Sequence, residues 1–191
     1  RSVLLVLSDG DGSGALGMQL VDPTKGDIKG EVVAPQVHSG RITCIATDAI
    51  GTAAGHGGVG GELALVGSSD GNASLWRFMS SHYLPLRPRV RLHGHCGAEI
   101  VAVALSSAIN VAATLSARKC CLHSIGNGTL IRSWGPPSDT IGIEGNDDVR
   151  LSTKFADTSA LAVSVQGFVV TVCESSIQSG SGSERTVLTL H

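Results

Sequence analysis

Leu65-Val66-Gly67-Ser68-Ser69-Asp70-Gly71-Asn72-Ala73-Ser74-Leu75-Trp76 reads as two short strands joined by a tight turn. Asp-Gly between apolar runs is a strong hairpin signal, because Gly supplies the positive φ that the turn needs. Gly94-His95 follows eighteen to nineteen residues after Trp76. Working outward, His38 precedes the strand-like Arg41 to Ala46, and His95 precedes Glu99 to Ser106. Each is a His, a short turn and an apolar strand ending in small residues. Second strands fall at Leu63 to Ser68 and Asn110 to Leu115, and third strands at Ala73 to Phe78 and Cys120 to Ile125. Fourth strands fall at Pro88 to Leu92 and Thr129 to Trp134.

A strand, an Asp-Gly turn, a strand ending in Trp and a fourth strand near Gly-His resemble one blade of a WD-repeat β-propeller. The fold expected is all-β, with about four blades of a larger ring. Their bounds are residues 1–37 (partial), 38–92, 93–137 and 146–191. Ser2 to Leu7, Leu16 to Val21 and Gly30 to Val37 are the strands of the first unit. Ser8 to Gly14 is its first turn. The chain starts at Arg1 on a near-immediate strand and stops after another, so it reads as a segment of a longer polypeptide.

Composition agrees with a strand-and-turn protein. Hydrophobic residues make up 42% and charged residues 16%, which excludes disorder. The 25 glycines imply many turns, and the 3% aromatic content implies divergent repeats. A net charge of −2 offers no bulk attraction to nucleic acid or anionic lipid. No apolar run reaches the roughly 18 residues of a membrane-spanning helix. The five cysteines, Cys44, Cys96, Cys120, Cys121 and Cys173, include no Cys-x-x-Cys pair. A disulfide framework or zinc site is not expected, and a reducing cytoplasm fits. The sequons at Asn72 and Asn127 read as turn residues.

A WD repeat with the full pattern holds a buried chain of His, Ser/Thr, Asp and Trp side chains, and such a network sets strand register. By that resemblance His38, Asp70, Trp76 and His95 are the structural residues. The hydroxyl place of the second unit, four residues before the Asp, falls on Val66. In the third unit the hydroxyl, Asp and Trp places fall on Ala113, Ala117 and His123.

Other motifs resolve into structure. Gly55-x-Gly57-x-x-Gly60 matches a dinucleotide fingerprint, but Glu62 to Val66 after it is strand, not the helix that would hold pyrophosphate. It reads as a loop insertion. Cys120 and Cys121 lie in an apolar strand, with Cys121 and His123 on one face and Cys120 and Leu122 on the other. They read as buried small hydrophobes. Arg87, Arg89 and Arg91 alternate along a solvated outer strand.

The third unit narrows the resemblance. His93-Gly94-His95, Glu99 to Ser106, Cys120 to Ile125 and Gly128-Thr129-Leu130-Ile131-Arg132-Ser133-Trp134 resemble the C-terminal propeller of BEACH-domain proteins of the neurobeachin and beige type. There, His often stands in the Trp place, followed by a Gly-x-x-x-Arg strand; His123 and Arg132 fit. The resemblance implies a non-enzymatic scaffold in vesicle traffic, lysosome-related organelles or autophagy. It would be cytoplasmic, peripheral at endomembranes, and associated with membrane only indirectly, through the rest of the chain. Its partners would be other proteins, with no nucleic acid, small-molecule substrate, cofactor or metal. Arg41, Asp48, Arg77, His82, Arg118 and Asn127 are the expected binding rim. The alternatives are an unrelated WD-repeat assembly scaffold, or a propeller hydrolase or lectin using its Asp and His loops.

Overall fold

The computed structural model describes residues 4–9, 14–22, 24–34, 37–50, 61–78, 87–136, 151–155, 161–177 and 184–190. The Gly55 to Gly60 insertion and His82 lie outside them. The described residues form fifteen strands and one short 3-10 turn, in four antiparallel sheets. The first sheet is β1 (Leu4–Asp9), β2 (Leu16–Val21) and β3 (Ile28–Ala34). The second is β4 (Ile42–Ile50), β5 (Gly61–Ser68), β6 (Asn72–Phe78) and β7 (Val90–His93). The third is β8 (Ile100–Ser106), β9 (Val111–Ser116), β10 (Lys119–Ser124) and β11 (Leu130–Trp134). In all three, sequential strands are hydrogen-bonded neighbours.

The fourth sheet departs from that plan. It comprises β12 (Leu151–Phe155), β13 (Leu161–Val163), β14 (Val169–Ile177) and β15 (Glu184–Leu190). β14 is central: β12 and β13 pair with successive parts of it, at 173–177 and 169–171, while β15 also pairs with it. Four strands are present, but not in serial order.

The strands begin and end near their expected positions, with local reasons for the differences. β1 runs on through Ser8 and Asp9, which pair with Gly17 and Leu16 although the sequence reads them as turn residues. β7 starts at Val90, after Pro88, whose ring nitrogen has no N–H to offer a ladder. It also includes His93, one residue past the expected 92/93 division.

The sheets stack face to face, and each contact buries a separate apolar layer. Leu16, Met18, Val66 and Trp76 fill the layer between the first and second sheets. Leu63, Leu65, Leu75, Ile100 and Val103 fill the next. Ala102, Leu115, Cys120 and Val169 fill the third. β5 shows the logic: Leu63 and Leu65 face the third sheet, Ala64 and Val66 the first. A strand covered on both faces is apolar at every position, whereas a half-exposed one alternates. Burial falls away along the strand order: β5 and β6 are largely buried, while Leu130 to Ser133 of the edge strand β11 are exposed.

Candidate functional site

The structural residues gather at one end of the second sheet. His38 sits in the loop before β4, tied by its N–H to the carbonyl of Gly14, just ahead of β2 (3.3 Å). Asp70 and Gly71 form the turn between β5 and β6, where the Gly71 N–H donates to Ser68 (3.2 Å). Gly71 has φ +80°, and a Cβ there would come within 2.8 Å of the Gly97 backbone. Only glycine combines that dihedral with that approach.

Inside this frame, His38 Nε2 is 2.8 Å from Ser74 Oγ, and Trp76 Nε1–H donates to the same oxygen at 2.9 Å. Trp76 is fully buried. The hydroxyl of this chain is therefore Ser74, not a residue at position 66, where Val66 contributes only to the apolar layer. Register explains the correction. Val66 on β5 pairs directly with Ser74 on β6, so both side chains project from one face at one level. A hydroxyl on the neighbouring strand reaches the same point.

His38 Nδ1 lies 3.5 Å from Asp70 Oδ2 and makes no hydrogen bond. Asp70 is occupied elsewhere: Oδ2 accepts from the Ser39 N–H (2.8 Å) and hydroxyl (3.3 Å), and Oδ1 from the Asn72 N–H (2.9 Å). Burial works against its ionised form, but these donors and the nearby His38 outweigh it and hold the carboxyl below its ordinary value. Burial pushes His38 down, with Asp70 pulling partly the other way. The result is a neutral imidazole hydrogen-bonded to Ser74, with the Asp70 carboxylate beside its other nitrogen.

The third sheet solves the same problem differently. His95 is 2.9 Å from Ser116 Oγ through Nδ1 and 2.8 Å from Thr114 Oγ1 through Nε2. The hydroxyl place is thus Thr114 and not Ala113. Thr114 pairs with Cys121 across six residues, whereas Val66 pairs with Ser74 across seven. The turn is one residue shorter, and counting back from Ala117 misses by one. Both His95 nitrogens are engaged with hydroxyls. Burial, with His123 and Lys119 nearby, lowers its pKa to about 4.

His123 stands in the Trp place and is buried, yet neither ring nitrogen makes a hydrogen bond. Burial lowers its pKa, against a smaller opposing pull from the Gly128 backbone. Cys121 lies beside it on the same face, near Gly94, and burial raises its thiol pKa. Cys120 faces the fourth sheet, in the opposite layer. A buried thiol with a raised pKa is a poor nucleophile. No group of three metal-ligating side chains occurs among the described residues.

The expected rim residues do not form one surface. Arg41 leads into β4 and pairs with Glu99 at 3.0 Å, and Arg118 lies in the β9–β10 turn at that same end. Asp48, Arg77 and Asn127 lie at the opposite end. There Asp48 accepts the Ser107 N–H at 2.6 Å, and Asn127 caps the β10–β11 turn through the Thr129 N–H (3.1 Å). Antiparallel strands send alternate loops to opposite ends, so residues similar in exposure become separated.

These four all-β sheets, packed face to face with a His–Ser–Trp network at the turn end, define a WD-repeat β-propeller fold. Solved structures of that class are similar to the chain. Sqt1 of Chaetomium thermophilum, bound to the N-terminus of ribosomal protein L10, is 18% identical with a TM-score of 0.52, over 90% of this chain and 38% of that one. U3-55K is 14% identical with a TM-score of 0.54, over 97% of this chain and 53% of that one. The chain thus spans about half or less of the structures it matches. No protein-family profile matches it, nor does any curated protein.

Proposed function

We propose that this chain is a non-enzymatic protein-binding module that presents a partner surface at the blade ends. The carrying observation is that its catalytic types of side chain serve the fold. His38 is engaged with Ser74, His95 with Thr114 and Ser116, and Cys121 is a buried thiol of raised pKa. Polar loop residues at the His38 and His95 end remain for recognition: Ser39, Arg41, Glu99 and Arg118. Sqt1 bound to a ribosomal protein segment supports the reading by analogy.

The test is a change of charge at each end. Arg41→Glu with Arg118→Glu should abolish chemical cross-linking to protein partners identified by mass spectrometry, while Asp48→Asn should not. Equal loss from both, or retention in both, would sink the proposal.

A finer reading is a BEACH-type scaffold of vesicle traffic, lysosome-related organelles or autophagy, cytoplasmic and peripheral at endomembranes. It rests on the third-unit motif. Consistent with that motif, His123 is buried in the Trp place and Arg132 pairs opposite Leu122. A BEACH domain found in the same polypeptide by sequencing would support it; its absence would leave an unrelated WD-repeat assembly scaffold.

A further inference from the structure

A cleft of about 410 Å³ opens beside the His38 network, a size typical of small-ligand sites. Ser39, Asp70, Asn72, Arg91 and His93 line it with His38. Arg91 and His93 lie two residues apart on β7, opposite Ser74 and Asn72, so they project from one face about 7 Å apart.

The walls offer one donor group and two acceptors. Arg91 is exposed and makes no hydrogen bond or ion pair among the described residues. His93 Nδ1 is 2.6 Å from Asn72 Oδ1. The Asn72 amide nitrogen reaches toward the Asp70 carbonyl (3.5 Å), so Oδ1 is the acceptor and His93 Nδ1 the donor. In the neutral ring His93 Nε2 is then an acceptor. Asp70 Oδ2 is filled by the Ser39 N–H and hydroxyl, whereas Oδ1 accepts only the Asn72 N–H among the described residues and keeps one place open. His38 Nδ1 faces the Asp70 carboxylate at 3.5 Å, so it offers an incoming group nothing.

This balance of charge and hydrogen-bonding capacity selects the ligand. A carboxylate or phosphate would meet the Asp70 charge and the His93 lone pair. An ammonium or guanidinium would meet Arg91. An apolar group would strip water from all three and return no hydrogen bond. A neutral group that both donates and accepts meets none of these obstacles. A hydroxyl or a backbone amide has one donor for two acceptors. A primary carboxamide has two N–H donors and an acceptor oxygen in one plane. Its oxygen suits Arg91, and its two N–H groups suit His93 Nε2 and Asp70 Oδ1. We propose that this cleft is a carboxamide subsite that seats an Asn or Gln side chain of a partner protein between Arg91, His93 and Asp70. The proposal rests on the protein-binding reading above.

The probe is the tripeptide Ac-Gly-Gln-Gly-NHCH₃, whose methylated end leaves the Gln side chain as its one primary carboxamide. It is titrated into the whole chain at pH 8, where an imidazole is ordinarily neutral, while the His93 imidazole and Arg91 guanidinium resonances are followed by NMR. These should shift saturably, and His95, enclosed between hydroxyls, should not. The same peptide with Ala, Glu or Lys in place of Gln should bind about tenfold or more weakly, the scale of one charge-assisted hydrogen bond. Arg91→Ala, an exposed change, should weaken the Gln peptide by a similar factor. The ranking of the four peptides on the unaltered chain decides the matter without any variant. No response to Gln, or an Ala peptide that binds as well, would overturn the subsite. So would an Arg91→Ala chain that binds as before. Tighter binding of the Glu or the Lys peptide would also overturn it, in favour of an anion or a cation site. The two readings fail separately. Cross-linked partners without selectivity for Gln defeat only the subsite, and Gln-selective binding without any partner defeats only the protein-binding module.

Discussion

Ser74→Ala is the sharpest test of the buried network. The substitution removes one oxygen that holds two buried nitrogens, His38 Nε2 at 2.8 Å and Trp76 Nε1 at 2.9 Å. A buried polar group stripped of its partner costs roughly 1–3 kcal/mol, so two of them cost roughly 2–6 kcal/mol. The vacated volume is that of one oxygen and adds little. This is a large fraction of the stability of a typical domain. Urea unfolding followed by tryptophan fluorescence reads the effect as a fall in midpoint. The register supplies an internal control. Val66 pairs with Ser74, so Val66→Thr in the Ser74→Ala background places a hydroxyl on the adjacent strand and should restore part of the loss. A Ser74→Ala midpoint within about 0.5 kcal/mol of the parent, a surface-substitution effect, would refute the reasoning. So would a double variant no better than the single.

Three further outcomes are expected. Trp76→Ala, at a fully buried position, should cost roughly 3–5 kcal/mol, and an unchanged denaturation midpoint would show that the indole does not hold the blade. His123→Leu removes two buried unpaired nitrogens with little change in volume and should leave the midpoint unchanged or raise it by about 1 kcal/mol; a fall beyond about 2 kcal/mol would contradict the assignment. His95 titrates near 6.5 unfolded and about 4 folded, so the unfolded chain binds the extra proton between those values and stability rises with pH there. Its contribution is complete above about pH 6.5 and is lost as pH falls toward 4. It amounts to about 3 kcal/mol. Unfolding midpoints measured from pH 7 to 4 should fall less steeply for His95→Gln than for the parent, and identical slopes would refute the role of His95.

Most strands and turns are legible in the chain because they are set by neighbours in sequence. Asp70-Gly71 marks a turn through the dihedral that Gly71 adopts, and the apolar run Leu63 to Val66 marks a strand. His38, Trp76 and His95 can be placed by the resemblance to a WD repeat. The identity of the hydroxyl cannot, because it depends on which residue lies across the ladder. Ser74 looks like one more small residue in β6 until its pairing with Val66 is known. Likewise Thr114 replaces Ala113 because one turn is a residue shorter than the other. In the fourth sheet the strands depart from serial order because β14 is long enough to pair with both β12 and β13.

The sequence by itself determined the class of fold, the positions of the strands in the first three units and the two histidines on which the blades turn. Those depend on periodicity, turn chemistry and the resemblance to a repeat, all carried by residues close together in sequence. Tertiary structure alone decided what each His bonds, which loops share an end, and where a cleft opens. Arg41 and Asp48 are seven residues apart yet belong to opposite ends, because a strand separates them. His38 and Arg91 are fifty-three positions apart yet line one cleft, because β7 folds back beside β6. Cross-strand register and the stacking of sheets are non-local, and side chains meet there according to the ladder rather than the order of the chain.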